Sequence, residues 1–362
     1  MTKASSKKQS IRVAYLYTGY RQAALEKVQK GEMHSAGFWG MLDLHRFGIE
    51  AEHVEVEQVY SWRISQWLRK LLNVYWIHLP VFWKLFGYDI VFTSTAFGSQ
   101  LVHALLHIRR PVWVMHDFSI SGLIGEGKTL KQKLLRYAVS RARGIVTLST
   151  DEEKKLKQMF PHLASSIVTI PFGVDLNFFT RDDSVEEQRQ ILGVGFDPDR
   201  DWKTLIQACE GLGVPLVLAT LPDRVRALEP LPSFVQVQAF TMRELVHEYR
   251  KAQIVVIPLD TSKGINDAMG CSMLFEAMAM QKAIIATETF TVASYLEDGH
   301  NGVLVEEGNV TQLQHALVEL LEDPAKRSRL GHRARAYAEA KLDARVCSEQ
   351  LASFFRSLLG RD

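Results

Sequence analysis

The sequence predicts an α/β protein of two doubly wound domains of parallel sheet, with ligands expected where the domains meet. Three observations carry that expectation. Short β-rich runs alternate with helical patterns from end to end, and such alternation means parallel sheets covered by helices on both faces. The alternation breaks once, near residues 171–180, where Pro171, Gly173 and then a polar run from Arg181 to Gln190 interrupt it. A chain of 362 residues is long enough for two domains of ordinary size.

In the first half, residues 11–17, 51–56, 89–93, 112–115 and 144–148 read as strands. Residues 37–47 and 130–142 read as helices between them. The second half repeats the scheme. Strands are expected at 190–195, 215–219, 234–238, 253–258, 283–287 and 302–305, and helices at 202–210, 242–251, 272–280 and 310–321. Domain boundaries of 1–172 and 173–345 follow, with a last helix from 346 to 362.

Composition bounds the function. About half the residues are apolar and about a quarter charged, as in soluble globular proteins. A formal charge of +2 speaks against a strongly basic nucleic-acid binder. Cys209, Cys271 and Cys347 lie far apart, so neither a zinc site nor a disulfide framework is expected, and a cytoplasmic setting fits. Residues 1–10 are basic and polar and lack the apolar core of a signal peptide. No run of 18 apolar residues exists, so no membrane span is expected. The twelve histidines show no ligand spacing with Asp or Glu, so no metal is expected.

The most informative stretch runs from Gly270 to Ala279. It reads as a turn followed by a nearly all-apolar helix with one carboxylate, Glu276. Such a helix is buried, and a buried carboxylate needs a partner or a shifted pKa. The opening residues Gly270, Cys271 and Ser272 are small, so the free amides and positive dipole end suit a phosphate. A phosphate and a sugar side by side, as in a nucleotide-sugar, would satisfy both features.

Several motifs in one order now carry a resemblance. Ile167-Val-Thr-Ile-Pro-Phe-Gly-Val-Asp175, with Phe178 and Phe179 after it, resembles the interdomain signature of retaining GT-B glycosyltransferases of glycosyltransferase family 4. Gly144-Ile-Val-Thr-Leu-Ser149 resembles the family strand before the linker. The run from Glu276 to Thr287 and the run from Asp298 to Val305 resemble the family's E-A-M-A and D-G-x-x-G motifs. The likeness is good from about residue 112 to 330 and faint over the first hundred.

The resemblance implies a GT-B fold of two Rossmann-like domains. The N-terminal domain would bind the acceptor and the C-terminal domain the donor, with the last helix packing back on the N-terminal domain. It implies a metal-independent hexosyltransferase, carrying no cofactor, that uses a nucleoside-diphosphate sugar, UDP-sugar by frequency in the family. Glu276 matches the family glutamate on the ribose hydroxyls, a bidentate task that suits a carboxylate. Ala268 stands where the family's first glutamate belongs, with Asp267 beside it. Gly195, Arg200 and Lys203 fall in the family's phosphate loop, where Phe196 replaces the usual Arg. A guanidinium at Arg200 suits a leaving diphosphate, and Lys263 is a second candidate cation. Gly270, Cys271, Ser272, Met273 and Leu274 would line the donor from the helix start. Gly37 would belong to the glycine loop near the phosphates; the long loop before it, from 18 to 36, holds Lys27, Lys30 and His34 and fits a wall of the acceptor pocket and a mobile surface loop equally. His116 ends a strand at the sheet mouth, where function concentrates, and could donate a hydrogen bond to developing charge. Asp117 would cap the next turn.

Residues 61–88 hold Trp62, Trp67, Trp76 and Trp83 interleaved with Arg63, Arg69, Lys70 and Lys84. That composition fits an interfacial anchor on an inner membrane face and fits equally a helix whose tryptophans fill the core. The acceptor would be a sugar, a lipid-linked sugar or a small molecule, with no nucleic acid as partner. Rival readings are a GT-B phosphorylase or sugar-nucleotide epimerase, or a GT-B subunit without catalysis.

Overall fold

The computed structural model describes residues 10–262 and 268–361. It contains two six-stranded sheets, every strand pair parallel. The N-terminal sheet is built from β1 Ile11–Leu16, β2 Ile49–His53, β3 Ile90–Thr93, β4 Val112–His116, β5 Gly144–Thr147 and β6 Ile167–Thr169, in the order β2-β1-β3-β4-β5-β6. The C-terminal sheet is built from β7 Gln188–Val194, β8 Leu216–Ala219, β9 Val235–Gln238, β10 Ala252–Ile257, β11 Ala283–Thr287 and β12 Val303–Val305. Its order is β12-β11-β10-β7-β8-β9. Helices cover both faces of each, as expected for two Rossmann-like domains of GT-B type.

Continuous apolar runs explain the inner strands. β3, β5, β8 and β11 are buried along their whole length, which a strand covered on both faces requires. Helix starts follow side-chain caps. Thr241 and Glu244 form a capping box for the helix Met242–Lys251, and Asp201 caps Trp202–Cys209 by accepting from the Thr204 amide; caps of this kind contribute about 0.5–2 kcal/mol each.

The chain passes between the sheets twice, and the two passages touch. The Val174 amide donates to the Leu342 carbonyl at 2.7 Å, and the Ala344 amide donates back to Val174 at 3.0 Å. Gly173 has φ +78°, and a Cβ there would lie 2.8 Å from the Ala344 Cα, so the crossing needs glycine. The last helix, Ala344–Leu359, places Leu351, Phe354, Phe355 and Leu358 in one core with β1, β3 and β4 of the N-terminal sheet. Phe355 is fully buried and meets Phe92 edge-on at 5.5 Å; burying such a ring contributes about 1.5–3 kcal/mol.

Two local expectations need correction. Residues 37–47 are not one helix but two 3₁₀ turns, Ala36–Phe38 and Leu44–Phe47. Trp39 (φ +50°) and Gly40 (φ +80°) are left-handed and break the ladder between them. Gly40 is also crowded from outside, since a Cβ there would lie 2.9 Å from Ser348 Oγ of the last helix. The segment 18–36 is not all loop, because it contains the helix Gln22–Gln29.

Candidate active site

In a doubly wound sheet, ligands bind beyond the carboxyl ends of the strands, where the strand order reverses. In the C-terminal sheet that point lies between β7 and β10. The loop after β7 begins at Gly195 and carries Arg200. The Arg200 side chain is fully buried and lies across Gly195, where any Cβ would overlap its Nε and Cδ. Glycine at 195 therefore makes room for the guanidinium. Arg200 donates to Asp197 through Nε at 3.1 Å and Nη2 at 2.7 Å, and Nη2 also approaches Met273 Sδ at 3.5 Å. Nη1 is buried and has no partner among the described residues. A buried cationic donor left open costs energy unless an anion completes it.

The loop after β10 returns to Gly270, which is left-handed (φ +79°) and caps the helix Cys271–Ala279. A Cβ on Gly270 would press on Ile257 and Leu259 at 3.2 Å. The Cys271 amide donates to the Ala268 carbonyl, and the Leu274 amide to Gly270. Between them the Ser272 and Met273 amides start the helix with no acceptor among the described residues, the arrangement that binds phosphate at helix starts. The side chains of Cys271 and Leu274 are fully buried in the domain core.

One turn further along this helix, Glu276 lines a cavity of about 120 Å³ together with Ser272, Gly37, His34, Trp39 and Phe179. The walls come from both domains and from the linker. Tyr249, on the helix Met242–Lys251, donates its hydroxyl to Glu276 Oε2 at 3.0 Å. His34 Nε2 stands 3.9 Å from Oε1. Burial raises the Glu276 carboxyl to about 8, against a smaller lowering by the Tyr249 hydrogen bond. Burial lowers His34 to about 4, partly opposed by Asp175. Near neutral pH the pair is therefore a carboxylic acid beside a neutral imidazole, not an ion pair. The folded chain holds the Glu276 proton where the unfolded chain has lost it, so this group costs stability progressively as pH rises from its ordinary value toward 8.

The remaining expected residues fall elsewhere. His116 ends β4 as expected but does not reach this cavity. Trp39 (4.8 Å between ring centres) and Phe118 (4.6 Å) wall it in, and Phe92 backs it. Burial holds its imidazole down to about 3, so it is neutral, and its Nδ1 lacks a partner among the described residues. Lys203 is exposed on the helix Trp202–Cys209 and does not line this cavity. Lys263 and Asp267 lie outside the described residues. Asp117 accepts from the Ile120 amide at 2.5 Å and caps that turn. Sequence reasoning missed Trp39 and Tyr249 as neighbours of the site, and it named His34 only as a member of the long loop before Gly37. Each reaches it through the fold, from a segment with no motif of its own.

The geometry can now be set beside known proteins. The family Glycosyltransferase Family 4 matches residues 41–178, and Glycosyl transferases group 1 matches residues 224–337. A mannosyltransferase of Corynebacterium glutamicum, described as GDP-mannose-dependent and acting on a monoacylated phosphatidylinositol monomannoside, is 30% identical over 122 residues, 32% of this chain and 30% of that protein. The alignment thus spans less than a third of that relative. An uncharacterized glycosyltransferase of Methanocaldococcus jannaschii is 22% identical over 303 residues, covering 80% of this chain and 81% of its own. The crystal structure of Anabaena HepE with UDP-glucose superposes with a TM-score of 0.68 at 17% identity, over 96% of this chain and all of that one. Residues 41–178 and 224–337 of this chain thus match glycosyltransferase family models, and its two sheets join in the GT-B architecture. The chain is similar to glycosyltransferases of family 4.

Proposed function

We propose that the protein transfers a hexose from a UDP-sugar to an acceptor hydroxyl, with retention of configuration and without a metal. The observation that carries this reading is Glu276, a buried carboxyl in a cavity between the domains, one turn from a helix start with open amides. In this reading Glu276 accepts the ribose hydroxyls. The Ser272 and Met273 amides and Nη1 of Arg200 take the diphosphate, with Lys263 as a second cation. Their charge stabilises the departing UDP, which is the main catalytic term. The acceptor hydroxyl attacks from the face the diphosphate leaves, and its proton passes to a departing phosphate oxygen. His116, neutral under burial, serves as a hydrogen-bond donor in this reading. UDP is favoured because the Anabaena structure is a UDP-glucose complex, although the Corynebacterium relative is described as using GDP-mannose.

A melting-temperature screen with UDP, GDP, ADP and their sugars tests the donor, since a ligand selective for the folded state raises its stability. UDP and a UDP-sugar are expected to raise the midpoint most, and the transferred sugar is expected to keep the anomeric form it had in the donor. A shift by GDP alone would reassign the base, and an inverted product would remove retention. Ala268 in the cavity wall favours one rival, a subunit that binds donor without transfer. Turnover of the stabilising UDP-sugar on any acceptor eliminates it.

We also place the protein at an anionic membrane surface. The helix Trp62–Leu71 turns Ser65 and Arg69 inward, Arg69 gripping Glu57 at 2.6 Å and the Thr18 carbonyl at 2.7 Å. Ile64, Trp67 and Leu71 form an exposed stripe beside Arg63 and Lys70. Trp62, Trp67 and Trp83 are 58%, 59% and 60% exposed, so three of the four tryptophans do not fill the core. No Asp or Glu occurs from 58 to 88. No helix among the described residues is long and apolar enough to cross a membrane, and an interfacial face needs none. The wild type is expected to float with phosphatidylserine vesicles and a Trp62→Ala/Trp67→Ala variant to remain behind. Equal flotation of the two would end this assignment.

A further inference from the structure

An apolar cavity on the N-terminal domain lies apart from the Glu276 site. It measures about 440 Å³ and lies between the helices Phe97–Leu105 and Leu130–Ser140, within the usual range of about 300–1,000 Å³ for ligand pockets. Tyr75, Trp76, Phe97, Leu101 and Leu134 supply its walls, and Lys131 is its one charged lining residue. The walls are fixed. The Gly98 amide donates to the Tyr75 carbonyl at 2.8 Å, and Trp76 lies so close over Gly98 that a Cβ there would overlap its ring. Lys131 sits over the Tyr75 ring at 5.3 Å.

Position gives the cavity its meaning. The helix Phe97–Leu105 starts just beyond the carboxyl end of β3, and its first turn lines the space. The carboxyl ends of these strands are the side from which Gly37 and Trp39, after β1, reach the Glu276 cavity. Leu71 and Val74, 63% and 47% exposed, lead to the cavity from the stripe on the helix Trp62–Leu71, because Asn73, Tyr75 and Trp76 are lining residues. The rim residue Leu130 is 73% exposed. An apolar pocket with a single cation at its rim, continuous with an acid-free apolar face, matches a hydrocarbon chain carrying an anionic head.

We propose that this cavity holds the hydrocarbon chain of a phosphate-headed lipid, with the phosphate beside Lys131. The chemistry is burial of methylenes against aromatic and leucine walls, with a charge-assisted contact setting the head. Calling that lipid the acceptor rests on the glycosyl-transfer reading; binding of the chain does not. In that reading the chain anchors the acceptor and leaves its sugar-accepting end at the cleft.

Calorimetry with decyl phosphate, kept below its micelle-forming concentration, tests the site. The wild type is expected to bind it, and inorganic phosphate alone is expected not to compete. Leu134→Glu, at a position 41% exposed, is expected to weaken binding at least tenfold while leaving UDP affinity unchanged. Lys131→Gln is expected to weaken decyl phosphate but not decanol. Equal affinity of wild type and Leu134→Glu, or no binding of decyl phosphate by a protein that binds UDP, overturns the proposal. Competition by inorganic phosphate would show a plain anion site and overturn it as well. Binding of decyl phosphate by a protein that ignores every nucleotide would leave the chain site standing and remove the glycosyl-transfer reading instead.

Discussion

Glu276→Ala is expected to weaken UDP binding by about 10²-fold. The estimate comes from hydrogen bonds to a charged group, worth about 1.5–3 kcal/mol each, with about 1.4 kcal/mol for every factor of ten. The variant is also expected to lose stability, because the Tyr249 hydroxyl, now 3.0 Å from Oε2, would be left buried without an acceptor at a cost of about 1–3 kcal/mol. Glu276→Gln separates the two effects. The amide oxygen can still accept from Tyr249, so stability is largely kept, whereas the carboxylate that takes two hydroxyl donors is gone. Calorimetry reads the affinity and a melting curve reads the stability. Unchanged UDP affinity in both variants would remove Glu276 from the site.

Arg200→Ala is expected to lower turnover by about 10²–10³, or about 2.7–4 kcal/mol of barrier, by analogy with the removal of one donor from an oxyanion site. The fold should survive. The partner Asp197 is 37% exposed at its side chain, so water can solvate it when the guanidinium is removed. Arg200→Lys is expected to recover little, because an ammonium cannot bridge Asp197 and a phosphate with a planar fork. Steady-state kinetics on the UDP-sugar, with melting temperature as control, checks both variants. Full activity of Arg200→Ala would reject the assigned role.

Much of the fold was legible in the sequence for simple reasons. β11 occupies residues 283–287, as expected, since a wholly buried strand shows itself as an unbroken apolar run. The helix Met242–Lys251 keeps its expected bounds, and the structure shows the Thr241–Glu244 capping box that starts it and the basic last turn that ends it. Residues 37–47 misled because their helical pattern is overruled by the left-handed pair Trp39 and Gly40, held there by a serine of the last helix. Nothing local signals that contact.

At the site, the burial of Glu276 could be read from the helix around it. Its partners could not. Tyr249 and His34 arrive from other elements, and only the packed structure sets the 3.0 and 3.9 Å separations. The strand before His116 was also clear, but whether the imidazole faces the cleft depends on the Trp39 ring, which stands in front of it.

The account rests on Glu276 binding donor hydroxyls as a carboxylate. Burial holds its carboxyl near 8 in the free protein, so it carries a proton at pH 7. Two hydroxyl donors would favour the charged form, and UDP should therefore expel about one proton on binding. The most direct measurement is UDP calorimetry at pH 7 in two buffers of different ionisation heat. The wild type is predicted to release close to one proton, with affinity rising as pH approaches 8, and Glu276→Gln to release none. UDP binding by the wild type with no proton released, and with the same affinity at pH 6 and pH 8, would contradict the claim.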